Sequence, residues 1–475
     1  MEDIFKTYSS ASERIQHLRE KTVTIPEWEV LLKDYDPTKH DVVNDKVKLR
    51  DRQMDNGSIE TSSRIYIGLE KLLVSRMVDF TFAIPVKRIY HNTDGDDEPS
   101  DKRKKIAEAI ERIYKYARID SENIKRGHAY YASCEYCTVW YTVPQKNTLY
   151  GFPCDYKLKC RTYSPMDGAK LFPLFDEYGD MVAMSFEWRQ KTANDYVTYF
   201  ETYTADMHVK WKQNGGDWEE VEFENGISIM PNALGKIPAI YSYRPQPVYE
   251  GLTLLRSEIE YALSRNSNII AYNSAPIVKI VGGIEGEEHK NSGYRFFRVQ
   301  NGGDVSYVSW DQGIESFKYQ IEQMLRLYFM QAQMPDISAE RMMSLGNIGF
   351  DARQTILMDA HLKIGEESGA WIEAFEREAN VIKAFLKLMN TDYASEIDNV
   401  EIEHAITPFI QNDEKAEIQK WSAACGGKAV MSQLEAIKNL GISDNPKETL
   451  TQIQNEEIQT QAAKMASVFG GGSAE

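Results

Sequence analysis

The sequence predicts an α+β chain that is predominantly helical, and three stretches carry that expectation. Val248 to Tyr272 and Ile314 to Met334 space their apolar residues three or four apart, as a helix with one packed stripe does. From Asp351 to about Asn390 the same periodicity continues, giving a rod of about 60 Å at 1.5 Å per residue. Between Gly127 and about Tyr243, aromatic and β-branched residues cluster instead in short runs bounded by turn residues, the signature of strands.

In chain order, the N-terminal region to about Thr93 reads as helices with short connections. Ile25-Pro26-Glu27-Trp28 opens one, Pro37 to Asp41 breaks it, and Ser62 to Phe82 is a strongly apolar helix that Ile84-Pro85 closes. Asp94-Gly95-Asp96-Asp97-Glu98-Pro99 lacks the ligand spacing and closing Glu of an EF-hand, so a solvated acidic loop is expected. Lys102 to Lys105 sets a basic run at the start of a helix from Lys104 to Arg118, which reads as a solvated face. Strands are expected at Tyr130 to Val143, Met181 to Gln190, Tyr196 to Thr204 and His208 to Gln213, with a hairpin at Asn214-Gly215-Gly216. Their aromatic residues suit cross-strand pairs better than a base-stacking platform.

Cys134, Cys137, Cys154 and Cys160 also fall here. The first pair has the two-residue gap of a zinc knuckle, but five residues separate the second pair. Residues three apart on a strand point to opposite faces, which favours buried free thiols, with zinc on these four, or a disulfide, as the alternatives. The histidines are scattered and none pairs with another at i, i+4. No phosphate loop is present, since Gly426-Gly427-Lys428-Ala429 lacks the upstream Gly and the Ser or Thr that would hold magnesium. Neither Gly-x-Ser-x-Gly nor His-Glu-x-x-His occurs, and Glu287-Glu288 and Glu366-Glu367 read as surface charges. The chain is expected to be non-enzymatic and to need no cofactor.

Between the two helical stretches, Pro276 to Val281, Tyr294 to Val299 and Asp304 to Trp310 are β-rich runs separated by glycines. Met334-Pro335 ends the second helix. A loop to Phe350 follows, and Asp351 with Gln354 can form the capping box of the long helix. Gly365 and Gly369 each cost that helix about 1 kcal/mol relative to Ala and invite a bend.

Two helices around a small α/β insert, the loop Met334-Pro335-Asp336-Ile337-Ser338 leading to Gly346-Asn347-Ile348-Gly349, and a long kinked helix resemble the portal protein family of tailed double-stranded DNA bacteriophages. Gly235-Lys236-Ile237-Pro238 and the Asn412 to Glu457 region add to the resemblance, which covers nearly the whole chain. It implies a wing (1–243), a first stem helix (244–272), a clip (273–311), a second stem helix (312–333), a tunnel loop (334–350), a long kinked wing helix (351–390), and a crown with a frayed tail (391–475). The tunnel loop would present Arg341, Met342, Met343 and Asn347 to DNA. The stem would turn Arg256, Arg265, Lys318 and Arg326 toward the channel or a neighbouring subunit. The clip would offer Lys279, Lys290, Arg295 and Arg298 as docking charges.

Implied partners are other copies of the chain in a ring, expected to be a dodecamer, double-stranded DNA in the channel, the terminase large subunit, a major capsid or scaffold protein and a head-completion adaptor. Lys102 to Lys105 is a further candidate contact for DNA or the packaging motor. The alternatives are another ring connector of the virion, or a zinc-containing nucleic-acid enzyme using the four cysteines. Charge agrees with passage rather than grip. The net charge is −17, so twelve copies would carry roughly −200 before screening, a wall that repels a duplex. Residues 392–475 hold fourteen acids against six lysines and no arginine. Met1 to Lys21 carries charges throughout, where a signal peptide would have an apolar core, and no apolar run approaches the length of a membrane span. Production in the host cytoplasm and residence in the virion are expected.

Overall fold

The computed structural model describes the chain apart from residues 1–7, 9, 54–56, 94–97, 193–194, 224–225, 274–276, 283, 290–294, 300–302, 309–313, 337–349, 410–413, 427–428, 442, 444 and 470–475. It is a mixed α+β protein of two compact units, residues 1–338 with 357–409, and residues 339–356 with 410–475.

The first unit opens with helices α1 (Ala11–Leu18), α2 (Trp28–Tyr35), α3 (Asp41–Asn44), α4 (Leu69–Phe82), α5 (Glu98–Ala117) and α6 (Ile119–Ser133), with short strands β1 (Arg52–Gln53), β2 (Ile59–Glu60) and β3 (Lys87–His91) between them. A capping box starts α1, where the Glu13 amide donates to Ser10 Oγ (3.2 Å) and Glu13 answers on the Ser10 amide. Helix α4 starts seven residues later than its apolar pattern predicts. The amides of Ser63, Ile65 and Ile67 donate to side chains of a later helix, which holds this segment extended. Likewise Tyr130 to Ser133, expected in a strand, finish α6, and Cys134 turns the chain with a left-handed φ of 67°.

Strands β4 (Glu135–Asn147), β5 (Cys154–Tyr163), β6 (Lys170–Phe175), β7 (Met181–Lys191), β8 (Tyr196–Tyr203), β9 (Met207–Gln213), β10 (Glu219–Glu220), β11 (Ile229–Pro231) and β12 (Ala239–Tyr243) follow. They form an antiparallel sheet ordered β10-β9-β8-β7-β6, with β11 also on β9, and a three-stranded sheet ordered β12-β4-β5. Period-two alternation gives the large sheet two apolar faces. Phe200, Val209 and Trp211 pack under α1, while Leu171, Met184 and Phe186 meet Cys137, Val139 and Tyr163 of the smaller sheet.

Next come α7 (Thr253–Asn273), β13 (Ile277–Val281), β14 (Ile284–His289), β15 (Arg295–Val299), β16 (Asp304–Val308), α8 (Ile314–Gln331), α9 (Phe350–Met389) and β17 (Glu401–Ala405), which pairs with β3. One core gathers α4, α6, α7, α8 and the middle of α9 around Trp371 and Phe375; a second packs α5 and β5 against the later turns of α9 through Ile382, Phe385 and Leu386. Each such buried large side chain contributes about 1.5–3 kcal/mol of transfer free energy.

The second unit holds α10 (Glu414–Cys425), α11 (Gln433–Leu440) and α12 (Pro446–Phe469). Ser432 and Glu435 box the start of α11, and Gly441 closes it at φ 69°. Among the described residues no helix is long and apolar enough to cross a membrane.

Candidate functional site

The helix pair α7 and α8 brackets two hairpins, one inside the other: β13 pairs with β16, and β14 with β15. The helices pack on each other, and their near ends are set in the first core through Leu252, Ile259, Tyr328 and Met334.

The root of α7 is held by charge as well as by packing. Arg256 donates from Nε to Glu70, from Nη1 to Glu260 and from Nη2 to Asp34, each at 2.9 Å. His40 lies with Nδ1 2.6 Å from Glu260 Oε1 and Nε2 2.8 Å from the Asp34 carbonyl. Burial pushes the Glu70 carboxyl up against the pull of Arg256. Burial also opposes ionisation of Glu260, but the bonds from His40, the Ile67 amide and Arg256 outweigh it and hold its carboxyl down. The segment that precedes α4 completes the root. The Ser63, Ile65 and Ile67 amides reach Asn268 Oδ1 (2.7 Å), Ser264 Oγ (2.9 Å) and Glu260 Oε1 (2.9 Å). Two residues of extended chain rise about 6.6 Å and one helical turn of four residues about 6 Å, so alternate amides find acceptors four apart.

Of the four stem cations named from sequence, Arg256 is enclosed within its own chain, with a side chain 4% exposed. Arg265, Lys318 and Arg326 are on the surface. So are Leu254 (80% exposed), Ile270 (56%), Tyr319 (65%) and Met330 (61%), an apolar set on two helices. Lys279 is exposed on β13, opposite Ser306, and Arg295 and Arg298 lie on β15 opposite His289 and Gly286. Strand β14 occupies a stretch where Gly286 signalled only a break. Lys290 and the tunnel-loop residues Arg341, Met342, Met343 and Asn347 lie outside the described residues, as does most of the acidic loop that begins at Asp94.

Helix α9 begins at Phe350, which places Asp351 inside its first turn rather than at the cap. It is helical through Gly365 and Gly369, and Ser368 Oγ donates to the Gly365 carbonyl at 2.7 Å. Its Glu378 is buried and accepts from both Arg126 terminal nitrogens and from Trp140 Nε1 (2.8 Å). Arg126 also donates to Asn123 (3.0 Å) and Thr138 (2.9 Å). Burial disfavours its charge, yet Glu378 overrides that and raises its pKa. Sequence reasoning missed this pair. The signal was available: Glu378 falls on the apolar stripe between Phe375 and Ile382, and a carboxylate there needs a buried partner.

The four cysteines singled out from the sequence do not converge. Cys137 lies opposite Tyr163 and Cys160 opposite Trp140, three positions along the β4–β5 ladder and so on the other face, while Cys154 is opposite Asn147 at its far end. Burial pushes the Cys134 and Cys160 thiols up to about 12 and that of Cys137 higher. Such thiols are poor ligands and nucleophiles. No set of three or more His, Cys, Asp or Glu assembles as a metal site among the described residues. The expected aromatic cross-strand pairs are present: Trp188 stacks on Tyr199 at 5.3 Å, and Phe200 lies 5.9 Å from Trp211.

A sequence model of the family described as phage portal protein, SPP1 Gp6-like, matches residues 18–463. No curated protein matches the chain. Among solved structures, a chain from the virion of a native gene transfer agent particle aligns over 92% of this chain and 100% of its own, with 9% identity and a TM-score of 0.36.

Proposed function

Because the chain belongs to the phage portal protein family, a family of structural virion proteins, we propose that it works as the family's ring-forming channel at one capsid vertex, through which DNA enters during packaging and leaves during ejection. In this reading α7 and α8 are the stem and the nested hairpins between them the clip. The long α9 crosses a wing built from the N-terminal helices and the two larger sheets, and α10 to α12 form the crown. Twelve copies make the ring. The observation that carries the reading is the family match over nearly the whole chain, joined to a helix pair that is set in the core on one face of its near ends while Leu254 and Met330 at those ends, and Ile270 and Tyr319 farther out, are left in water. Such side chains lose water when copies pack side by side.

The mechanism needs no covalent chemistry from this chain. Like charge along the lumen denies DNA deep binding minima, residues 334–350 touch the duplex, and Lys279, Arg295 and Arg298 meet a packaging motor and later an adaptor. Arg265, Lys318 and Arg326 serve the channel or the subunit contact, whereas Arg256 anchors the stem within its own subunit. Negative-stain microscopy of the purified chain is expected to show rings with a central hole. A compact monomer that persists at high concentration would refute the reading.

A further inference from the structure

A cleft in the first unit has a composition that a channel does not require. Along β5, Lys157, Lys159 and Arg161 share one face with Tyr163, and the register sets the three cations opposite Val143, Tyr141 and Val139. Tyr163 and Val139 on that face are buried between the two sheets. The same face then runs out into a cleft of about 850 Å³, whose opposite wall is the large sheet with Trp188, Glu201, Tyr203, His208 and Lys210. The rim is apolar and open: Tyr141 is 37% exposed, Tyr156 48%, Met230 38% and Leu388 54%. A smaller hollow of about 230 Å³ shares Ala233, Leu234 and Leu388 with the first and adds Lys236, Lys383 and Lys387.

The charges do not balance. Five cations line the two hollows, Arg161, Lys210, Lys236, Lys383 and Lys387, against two carboxylates. Both carboxylates are engaged, Glu201 by His208 at 2.6 Å and Lys210 at 3.9 Å, and Asp398 by Lys387 at 2.6 Å, so the surplus is three cations, Arg161, Lys236 and Lys383. In a chain of net charge −17 this is a local reversal of sign. We propose that the cleft is a docking site for an acidic segment of a partner protein, whose carboxylates meet these cations and whose apolar side chains settle on the Tyr141, Tyr156, Met230 and Leu388 rim.

Single-stranded nucleic acid is the obvious competitor, and the rings argue against it. Base stacking needs a free aromatic face. Here Lys210 Nζ lies over Trp188 (5.1 Å) and Tyr199 (4.9 Å), Arg161 lies over Tyr163 (4.7 Å), and His208 stacks on Tyr203 (4.0 Å). Inside the cleft, cation heads rather than ring faces are what a ligand meets.

The test is fluorescence polarisation with the full chain and a fluorescein-labelled peptide of alternating Glu and Leu, beside the matching Lys–Leu peptide and an oligothymidylate. Saturable, salt-sensitive binding of the Glu–Leu peptide alone is expected. The double variant Arg161→Glu, Lys236→Glu should weaken it roughly tenfold, and Leu388→Glu should weaken it too. Lys33→Glu, exposed on α2, should leave it unchanged. These positions are all exposed, and unchanged melting curves confirm that the fold is kept. The proposal is overturned if affinity ignores the cleft variants, if oligothymidylate displaces the peptide, or if dilute monomer binds the peptide while assembled rings do not, since a second copy would then be the occupant. The proposal does not depend on the channel reading, and rings in the micrograph neither make nor break it.

Discussion

Replacing Glu378 by Leu removes the one carboxylate that answers Arg126 across 252 residues of sequence. The shape changes little, but the Arg126 guanidinium, 1% exposed, keeps only Asn123 and Thr138, and Trp140 Nε1 loses the acceptor it has at 2.8 Å. Removing one member of a buried pair costs about 3–5 kcal/mol, because the survivor stays dehydrated and uncompensated. Glu378→Gln, which keeps an acceptor for Trp140, should cost less. Arg126→Met combined with Glu378→Leu should recover much of the loss, since the uncompensated charge goes with the arginine. Urea unfolding followed by circular dichroism, with the Arg126→Met single measured alongside, gives these values, and hydrogen exchange on residues 371–386 shows where the loss acts. If Glu378→Leu lies within about 1 kcal/mol of the parent, or the double variant is worse than the sum of the singles, the charge argument fails.

Other expectations are smaller or more local. A Cβ at Gly365 or Gly369 would meet nothing within 4 Å, so Gly→Ala at either should stabilise α9 by up to about 1 kcal/mol; a lowered melting temperature would mean the backbone there is not helical. Arg256→Met leaves the buried Glu70 and Glu260 without their shared cation, and faster amide exchange over residues 253–264 should report the loosened root, whereas unchanged exchange would assign the anchoring to packing alone. His404 is buried and held neutral, its pKa lowered to about 4 by burial and by the nearby Arg88 charge. The unfolded ring takes a proton below about 6.5. Stability should therefore be unaffected above that pH and fall by at most about 3 kcal/mol as pH drops toward 4; His404→Leu should remove that share of the slope, and an identical slope would refute it.

Much of the order of elements was legible because it rests on local periodicity. The stripes at 248–272, 314–334 and 351–390 each produced a helix, shifted by a few residues at the ends, and the strand runs expected between 130 and 213 and between 276 and 310 came within similar limits. Failures cluster where a distant partner decided the outcome. Residues 62–68 were expected in the helix, yet the amides of Ser63, Ile65 and Ile67 are taken by side chains of α7, and Tyr130 to Ser133 looked like strand but complete α6. The zinc alternative rested on spacing, and only the β4–β5 register shows that Cys137 and Cys160 face opposite ways.

The sequence by itself determined the mixed class, the succession helix, insert, helix and long helix, and through that succession the family, since hydrophobic spacing and turn chemistry act between near neighbours in the chain. Tertiary structure alone decided that Arg256 is an internal anchor rather than a surface charge, that Arg126 answers Glu378, and that cations of β5 and β9 line the same cleft. Those outcomes depend on which groups lose water together, a condition set by contacts hundreds of residues apart.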